Sequence, residues 1–317
     1  MSGPVRHARS LVGFVLVAAL LVGFEPSARA SIQGSRLWVS RYQGPAQGSD
    51  EARKIVVSPD GTKLFVAGSS DTPHGAADIA TAAYDPSTGA TLWVKLWDGP
   101  GHYVDSAQDV AVSNDGSKVF VTGYTFTESN TGIDYATVAY DSSTGTQLWV
   151  ALYDGSGANA TDSATAIASS ADGGMVFVTG YSNGGGSGND YATVAYDADS
   201  GAQVWVTRYT SPGSNQDIPT AVAATMDGAT LFVTGAAAGS GASDYVTVAY
   251  DAVTGVELWV QDYDGGVGIN GANGLVTGLG GAAVFVTGYS FGFGTDYDYA
   301  TVAYWVCGCP AATYPVT

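Results

Sequence analysis

One phrase recurs five times along the 317-residue chain and constrains its fold more than any other feature. It reads Asp78-Ile-Ala-Thr-Ala-Ala-Tyr84, then Asp134-Tyr-Ala-Thr-Val-Ala-Tyr140, and returns at 190–196, 244–250 and 298–304. Successive copies lie 56, 56, 54 and 54 residues apart. Two further phrases keep step. One is Phe-Val-x-Gly, beginning at Phe65, Phe120, Phe177, Phe232 and Phe285; the other carries Trp38, Trp93, Trp149, Trp205 and Trp259. Units of this length, rich in Val, Thr, Tyr and Phe, predict blades of an all-β propeller. The second unit divides into strands at 107–113, 118–123, 134–140 and 147–153, called A to D from the axis outward. Asn114-Asp115-Gly116 makes the A–B hairpin. The segment from Asp141 to Gly145 makes the C–D turn, where Asp bonds nearby amides and Gly takes positive φ.

The ends of the array suggest how it closes. The fifth copy stops after strand C at Tyr304, while Leu37-Trp38-Val39 stands before the first unit as a strand D without companions. Residues 36–42 are therefore expected to pair with 298–304. That pairing closes a five-bladed β-propeller, four antiparallel strands per blade, and removes an open sheet edge. The alternative is a piece of a larger ring, because Trp305 to Thr317 abandons the repeat. The expected organisation is a signal peptide at 1–30, a propeller at 31–306 and a C-terminal tail at 307–317.

Residues 1–30 read as an export signal: Arg6 and Arg9, an apolar run from Leu11 to Phe24, then Ala28-Arg29-Ala30. The run falls short of the ~20 residues of a membrane span; an uncleaved anchor is the other reading. A secreted, extracellular or periplasmic protein is expected, monomeric and without a membrane span. Eleven basic residues against 29 acidic ones give a formal net charge of −18, which argues against binding nucleic acid or anionic lipid. Charged residues total 13% against a usual ~25%, and the scarcity of Lys and Glu argues against helices. Cys307 and Cys309 are too close in sequence for an unstrained disulfide. Beyond residue 30 only His74 and His102 remain, which is thin support for zinc.

The repeated residues have structural readings first. Trp38, Trp93, Trp149, Trp205 and Trp259 are read as docking one blade on the next. Asp60, Asp115, Asp172 and Asp227 belong to A–B hairpins, and Asp85, Asp141, Asp197 and Asp251 to C–D turns. On the other rim, Asp78, Asp134, Asp190, Asp244 and Asp298 begin strand C. Asp50, Asp105, Asp162 and Asp217, with Asn270, begin strand A beside the axis. These last five form the candidate metal set. Oxygen ligands suit calcium, and no other cofactor is called for; the alternative is that each bonds a neighbouring loop. The B–C and D–A loops of this rim vary most between repeats and contain Tyr103, Phe126, Phe291 and Phe293, a surface suited to an extracellular protein or glycan. Ser182 and Ser290 each sit in a G-x-S-x-G match, but a nucleophile elbow needs a following helix, and these run into Gly-rich loops. The run from Gly184 to Gly188 has no Lys or helix start after it, so it makes no phosphate cradle. The acidic rim offers many carboxylate pairs for sugar chemistry without marking one. Asn159-Ala-Thr161 is a glycosylation sequon.

The unit from Asp134 to Trp149, with Asp162-Ser-Ala and Val176-Phe-Val-Thr-Gly-Tyr181, resembles the exported bacterial β-propeller repeats of the SBBP and YVTN type. The resemblance spans Leu37 to Tyr304 and implies a secreted scaffold. The segment Ala139 to Trp149 also resembles the tryptophan-docking motif of quinoprotein propellers, which implies blade locking by Trp149 and its counterparts. Those enzymes have eight blades and many carry an adjacent-cysteine pair, which Cys307 and Cys309 do not match. The leading expectation is a non-catalytic binding or surface scaffold acting through its acidic, loop-rich rim. The alternative is an extracellular propeller enzyme, a quinoprotein-like dehydrogenase or a carbohydrate-active lyase or hydrolase.

Overall fold

The computed structural model describes residues 34–127, 132–155, 160–184, 188–212, 216–238, 243–266, 268–292 and 296–306. The export signal, the C-terminal tail with both cysteines, Phe293 and Asn159 of the sequon lie outside them. The first blade comprises β1 (Asp50–Val57), β2 (Leu64–Asp71), β3 (Ala77–Tyr84) and β4 (Thr91–Trp97). The second comprises β5 (Asp105–Val112), β6 (Lys118–Phe126), β7 (Ile133–Asp141) and β8 (Gln147–Tyr153). The third has β9 (Asp162–Ser169), β10 (Met175–Asn183), β11 (Asn189–Asp197) and β12 (Gln203–Tyr209). The fourth has β13 (Ile218–Ala224), β14 (Thr230–Ala238), β15 (Ser243–Asp251) and β16 (Glu257–Tyr263). The fifth has three strands: β17 (Gly271–Gly278), β18 (Ala283–Phe291) and β19 (Tyr297–Trp305). Each sheet is antiparallel in chain order.

Within the second, third and fourth blades, the central strands are tied by a buried threonine pair. Thr122 and Thr137 lie with hydroxyls 3.0 Å apart, as do Thr179 with Thr193 and Thr234 with Thr247. Such cross-strand pairs contribute about 0.2–1 kcal/mol each. Strand A carries a bulge in every blade. In the third and fourth blades the extra residue is a threonine that reaches the next blade: Thr165 donates to Pro219 O at 2.7 Å and Thr220 to Ala272 O at 2.7 Å.

Blades are joined by one repeated contact. Trp93 Nε1 donates to Ser142 O, Trp149 to Ala198 O and Trp205 to Ala252 O, each at 3.1 Å and each in the C–D turn of the following blade. Each Trp ring covers the glycine of that turn. A Cβ on Gly145 or Gly201 would come within 2.7 Å of the ring, and both have φ near +70°. Phe120 and Tyr196 flank Trp149 at 5.8 and 6.3 Å between ring centroids. The repeat keeps Trp and Gly in step because each fills the space the other leaves.

The closed ring is not formed. Residues 37–42 adopt no strand, and β19 is an unpaired edge. Inner strands β1, β5, β9, β13 and β17 pack in succession, but no comparable packing joins β17 to β1. Trp38 does make its half of the expected closure: it donates to Pro86 O at 2.8 Å and covers Gly89. The strand pairing does not follow. Five blades close only through five junctions, and the described inner strands pack at four, from β1 against β5 to β13 against β17. The uncovered faces show the consequence. Tyr135, Tyr191 and Tyr245 are fully buried, whereas Tyr299, at the same place in the fifth repeat, is 89% exposed. On the first blade a groove of about 450 Å³ opens among Trp38, Tyr42, Val66, Ala82, Tyr84 and Val94.

Candidate functional site

The two rims differ in what their side chains do. On the A–B and C–D rim every turn aspartate is used locally. Asp60, Asp115, Asp172 and Asp227 each accept a 2.5 Å hydrogen bond from the hydroxyl two residues earlier. Asp85, Asp141, Asp197 and Asp251 accept from backbone amides two and three residues on. The bonds from Ser58 and Ser113 above all, with those from Thr62 and Ser117, hold Asp60 and Asp115 down to about 2. This rim is closed chemistry.

On the other rim the strand A residues fasten the loops that precede them. Asp50 accepts from Gly44 N at 2.8 Å and Ser70 Oγ at 2.6 Å. Asp105 accepts from Gly99 N at 2.6 Å, Asp162 from Gly155 N at 2.9 Å, and Asp217 from Ser211 N and Oγ at 2.8 and 2.7 Å. Asn270 accepts from Ser290 Oγ and Phe291 N. Among the described residues, no close cluster of three acidic side chains combines two of the five.

Asp105 and Asp162 instead meet other carboxylates at the blade junctions. One cluster is Asp78, Asp98 and Asp105; its equivalent one blade on is Asp134, Asp154 and Asp162. In each, one oxygen from every residue lies within 4.8 Å of the others. The members come from the start of strand C, the D–A loop and the start of the next strand A. Burial, then the charges of Asp98 and Asp105, pushes Asp78 up to about 6. Burial likewise lifts Asp105 to about 6, against the lowering effect of the nearby Thr125 hydroxyl and of the hydrogen bond from Gly99 N. Asp134 and Asp154 are raised too, by burial first and then by their neighbours in the cluster. Two like charges 4 Å apart repel by ~4 kcal/mol at an effective dielectric of ~20, so each cluster is costly when fully ionised. At the first cluster His102 Nδ1 lies 2.6 Å from Asp98 Oδ2, on the exposed side, and that hydrogen bond raises the histidine.

The next two junctions are built differently. At the third, Thr210 replaces the loop aspartate and Arg208 stands two residues before it. Arg208 Nη2 pairs with buried Asp190 Oδ2 at 3.1 Å, and Nη1 donates to Ser182 Oγ at 2.6 Å. At the fourth, Asn270 replaces the strand A aspartate and its Nδ2 donates to Asp244 Oδ1 at 3.2 Å. Reading strand by strand found Asp105 and Asp162 but missed Asp98, Asp154 and Arg208. The signal was present in the loop starts: Leu96 precedes Asp98 and Leu152 precedes Asp154, whereas Arg208 precedes Thr210 and Arg41 precedes Gln43. The two G-x-S-x-G serines are also accounted for. Ser182 is held by Arg208 and Ser290 donates to Asn270 Oδ1 at 2.9 Å, both buried at the ends of β10 and β18.

Residues 135–289 match the sequence profile of the family described as outer membrane protein assembly factor BamB. This stretch carries BamB-like propeller repeats. No curated protein sequence matches the chain significantly. Among solved structures it is similar to Kuenenia stuttgartiensis hydrazine synthase, at 16% identity and a TM-score of 0.57, over 83% of this chain and 67% of that one. It is also similar to Chaetomium thermophilum Sqt1, at 17% identity and a TM-score of 0.50, over 76% and 56%. These likenesses are of fold: the β-propeller. No helix among the described residues is long and apolar enough to cross a membrane.

Proposed function

We propose that this chain is an exported, non-catalytic scaffold that binds a protein partner, in the periplasm or at the cell surface, through its B–C and D–A rim. One observation carries the reading. The opposite rim spends its aspartates on its own turns and exposes Met226, Val253 and Val256 singly, whereas this rim turns apolar side chains outward at the same place, the start of strand A, in three of the blades. Tyr103 and Val104, Ile218 and Ile269 stand at the start of strand A in three different blades and are 37–51% exposed. Apolar side chains repeated along one rim of a rigid scaffold are the usual form of a protein contact surface. The BamB-like repeats support the same class of role and the same compartment, since that family is described by its part in outer-membrane protein assembly.

The test is site-specific photo-crosslinking in the native host. A photoreactive residue at Tyr103 should capture one protein in stoichiometric yield, and Val104→Ser with Ile269→Ser should abolish the capture. The same probe at Val253, exposed on the opposite rim, should capture nothing. Equal capture from both rims, or none from Tyr103, overturns the reading. Turnover of an alcohol with a dye acceptor after adding pyrroloquinoline quinone, or cleavage of a glycan, would replace it with the enzymatic one.

A further inference from the structure

The geometry points to two equivalent calcium sites, one at Asp78, Asp98 and Asp105 and one at Asp134, Asp154 and Asp162, that lock the first three blades together. Three observations converge on them. The first is distance. Two ligands of one ion at ~2.4 Å can be at most ~4.8 Å apart, and the oxygens of each cluster lie within that limit. The ligands are all carboxylate oxygen, which calcium accepts in sets of six to eight with backbone carbonyls and water making up the rest.

The second is an unsatisfied atom. Asp162 is fully buried; Oδ2 accepts from Gly155 N, but Oδ1 has no hydrogen-bond partner. Ser182 Oγ stands beside it, accepts from Arg208 Nη1 and makes no hydrogen bond to that oxygen. In the first cluster Thr125 stands beside the equivalent oxygen of Asp105, yet neither atom has a well-aligned hydrogen bond. A buried carboxylate oxygen without a partner is costly and calls for one.

The third is internal to the repeat. Where the loop aspartate is absent, as at Thr210 and Gln43, an arginine stands two residues earlier, Arg208 and Arg41. Where the aspartate is present, at Asp98, Asp154 and Asp264, that place holds Leu96, Leu152 or Asp262 and never a cation. The third junction thus pairs a carboxylate with the protein's own cation, Arg208 with Asp190 at 3.1 Å, whereas no lysine or arginine among the described residues forms an ion pair with the three carboxylates of either cluster. At the fourth junction Asn270 supplies an amide donor instead. His102 touches only the outer oxygen of Asp98, and no histidine exists at the second cluster.

The experiment is equilibrium dialysis of the full chain, stripped with EDTA, against calcium chloride at millimolar concentration, with metal counted by atomic emission and stability followed by circular dichroism. Two ions per chain are expected, with a rise in Tm that EDTA reverses. Asp154→Asn should leave one ion, and Asp98→Asn with Asp154→Asn should leave none. The double variant Leu152→Arg with Asp154→Thr, which installs the arrangement of the third junction, should bind one ion and show about half the calcium-dependent rise. If the wild type binds no calcium, or the variants keep both ions, the assignment is wrong. The Asp→Asn variants alter no packing volume, so they report even if the arginine variant fails to fold.

Discussion

Removing the Trp149 ring should cost more than removing its repeat-mate Trp259, by an amount set by what lies beneath each. Trp149 is buried between Phe120 and Tyr196, covers Gly201 and donates to Ala198 O. Trp149→Ala therefore opens a cavity worth about 3–5 kcal/mol. It also leaves a carbonyl short of a hydrogen bond, about 1 kcal/mol more. Trp259 packs on Phe232 at 5.6 Å and Tyr304 at 5.8 Å but is only half-buried, with no C–D turn beneath it among the described residues. Its loss should cost about 1–2 kcal/mol. Urea unfolding followed by far-ultraviolet circular dichroism gives both values and is independent of the lost fluorophore. A gap of about 3 kcal/mol is expected. Equal losses would refute the reasoning, because Trp259 would then be docked on a turn as Trp149 is.

Three further outcomes follow from the junctions and turns. Gly201→Ala should lower Tm by several degrees, since a Cβ there meets the Trp149 ring at 2.6 Å and φ is +70°; an unchanged Tm would show that the ring does not press on the turn. Asp60 and Asp115 are held at about 2, below the ordinary value of 3.8, so their contribution is full above pH ~4 and is lost as pH falls through ~2. Asp60→Asn with Asp115→Asn should thus destabilise the protein at pH 6 and converge with wild type near pH 2, as urea midpoints across that range will show. Arg208→Leu with Thr210→Asp rebuilds the third junction in the form of the first two and should add a third calcium ion per chain by dialysis; an unchanged count would show that these two positions do not decide how a junction is neutralised.

Much of the fold was legible because its determinants are local and repeated. The strand limits of the second blade, 118–123 and 147–153 among them, fall within β6 and β8 as found, since turn residues such as Asn114-Asp115-Gly116 leave the chain little choice. Ring closure was not legible. It depends on the angle between neighbouring blades, a property of how Phe65, Trp93 and Tyr140 share one junction, which no periodicity encodes. The acidic residues were sorted by strand position, which grouped Asp105 with Asp50 and Asp217. Space groups them by junction, where Asp105 meets residues seven and 27 positions earlier in sequence. The presence of Arg only where the loop aspartate is missing, at Arg41 with Gln43 and Arg208 with Thr210, carried that information, but only once the cluster showed which positions to compare.

The arrangement of blades on which the rest stands is an arc ending at β19, and hydrogen exchange of the full chain tests it most directly. Strands β7, β11 and β15 are paired on both sides, whereas β19 pairs only with β18. Amides of β19 that point away from β18 should therefore exchange orders of magnitude faster than their counterparts in β7, and residues 37–42 should exchange with them. Protection of those outward amides to the level of β7, together with protection across 37–42, would mean that the N-terminal segment has paired with β19 and the ring is closed.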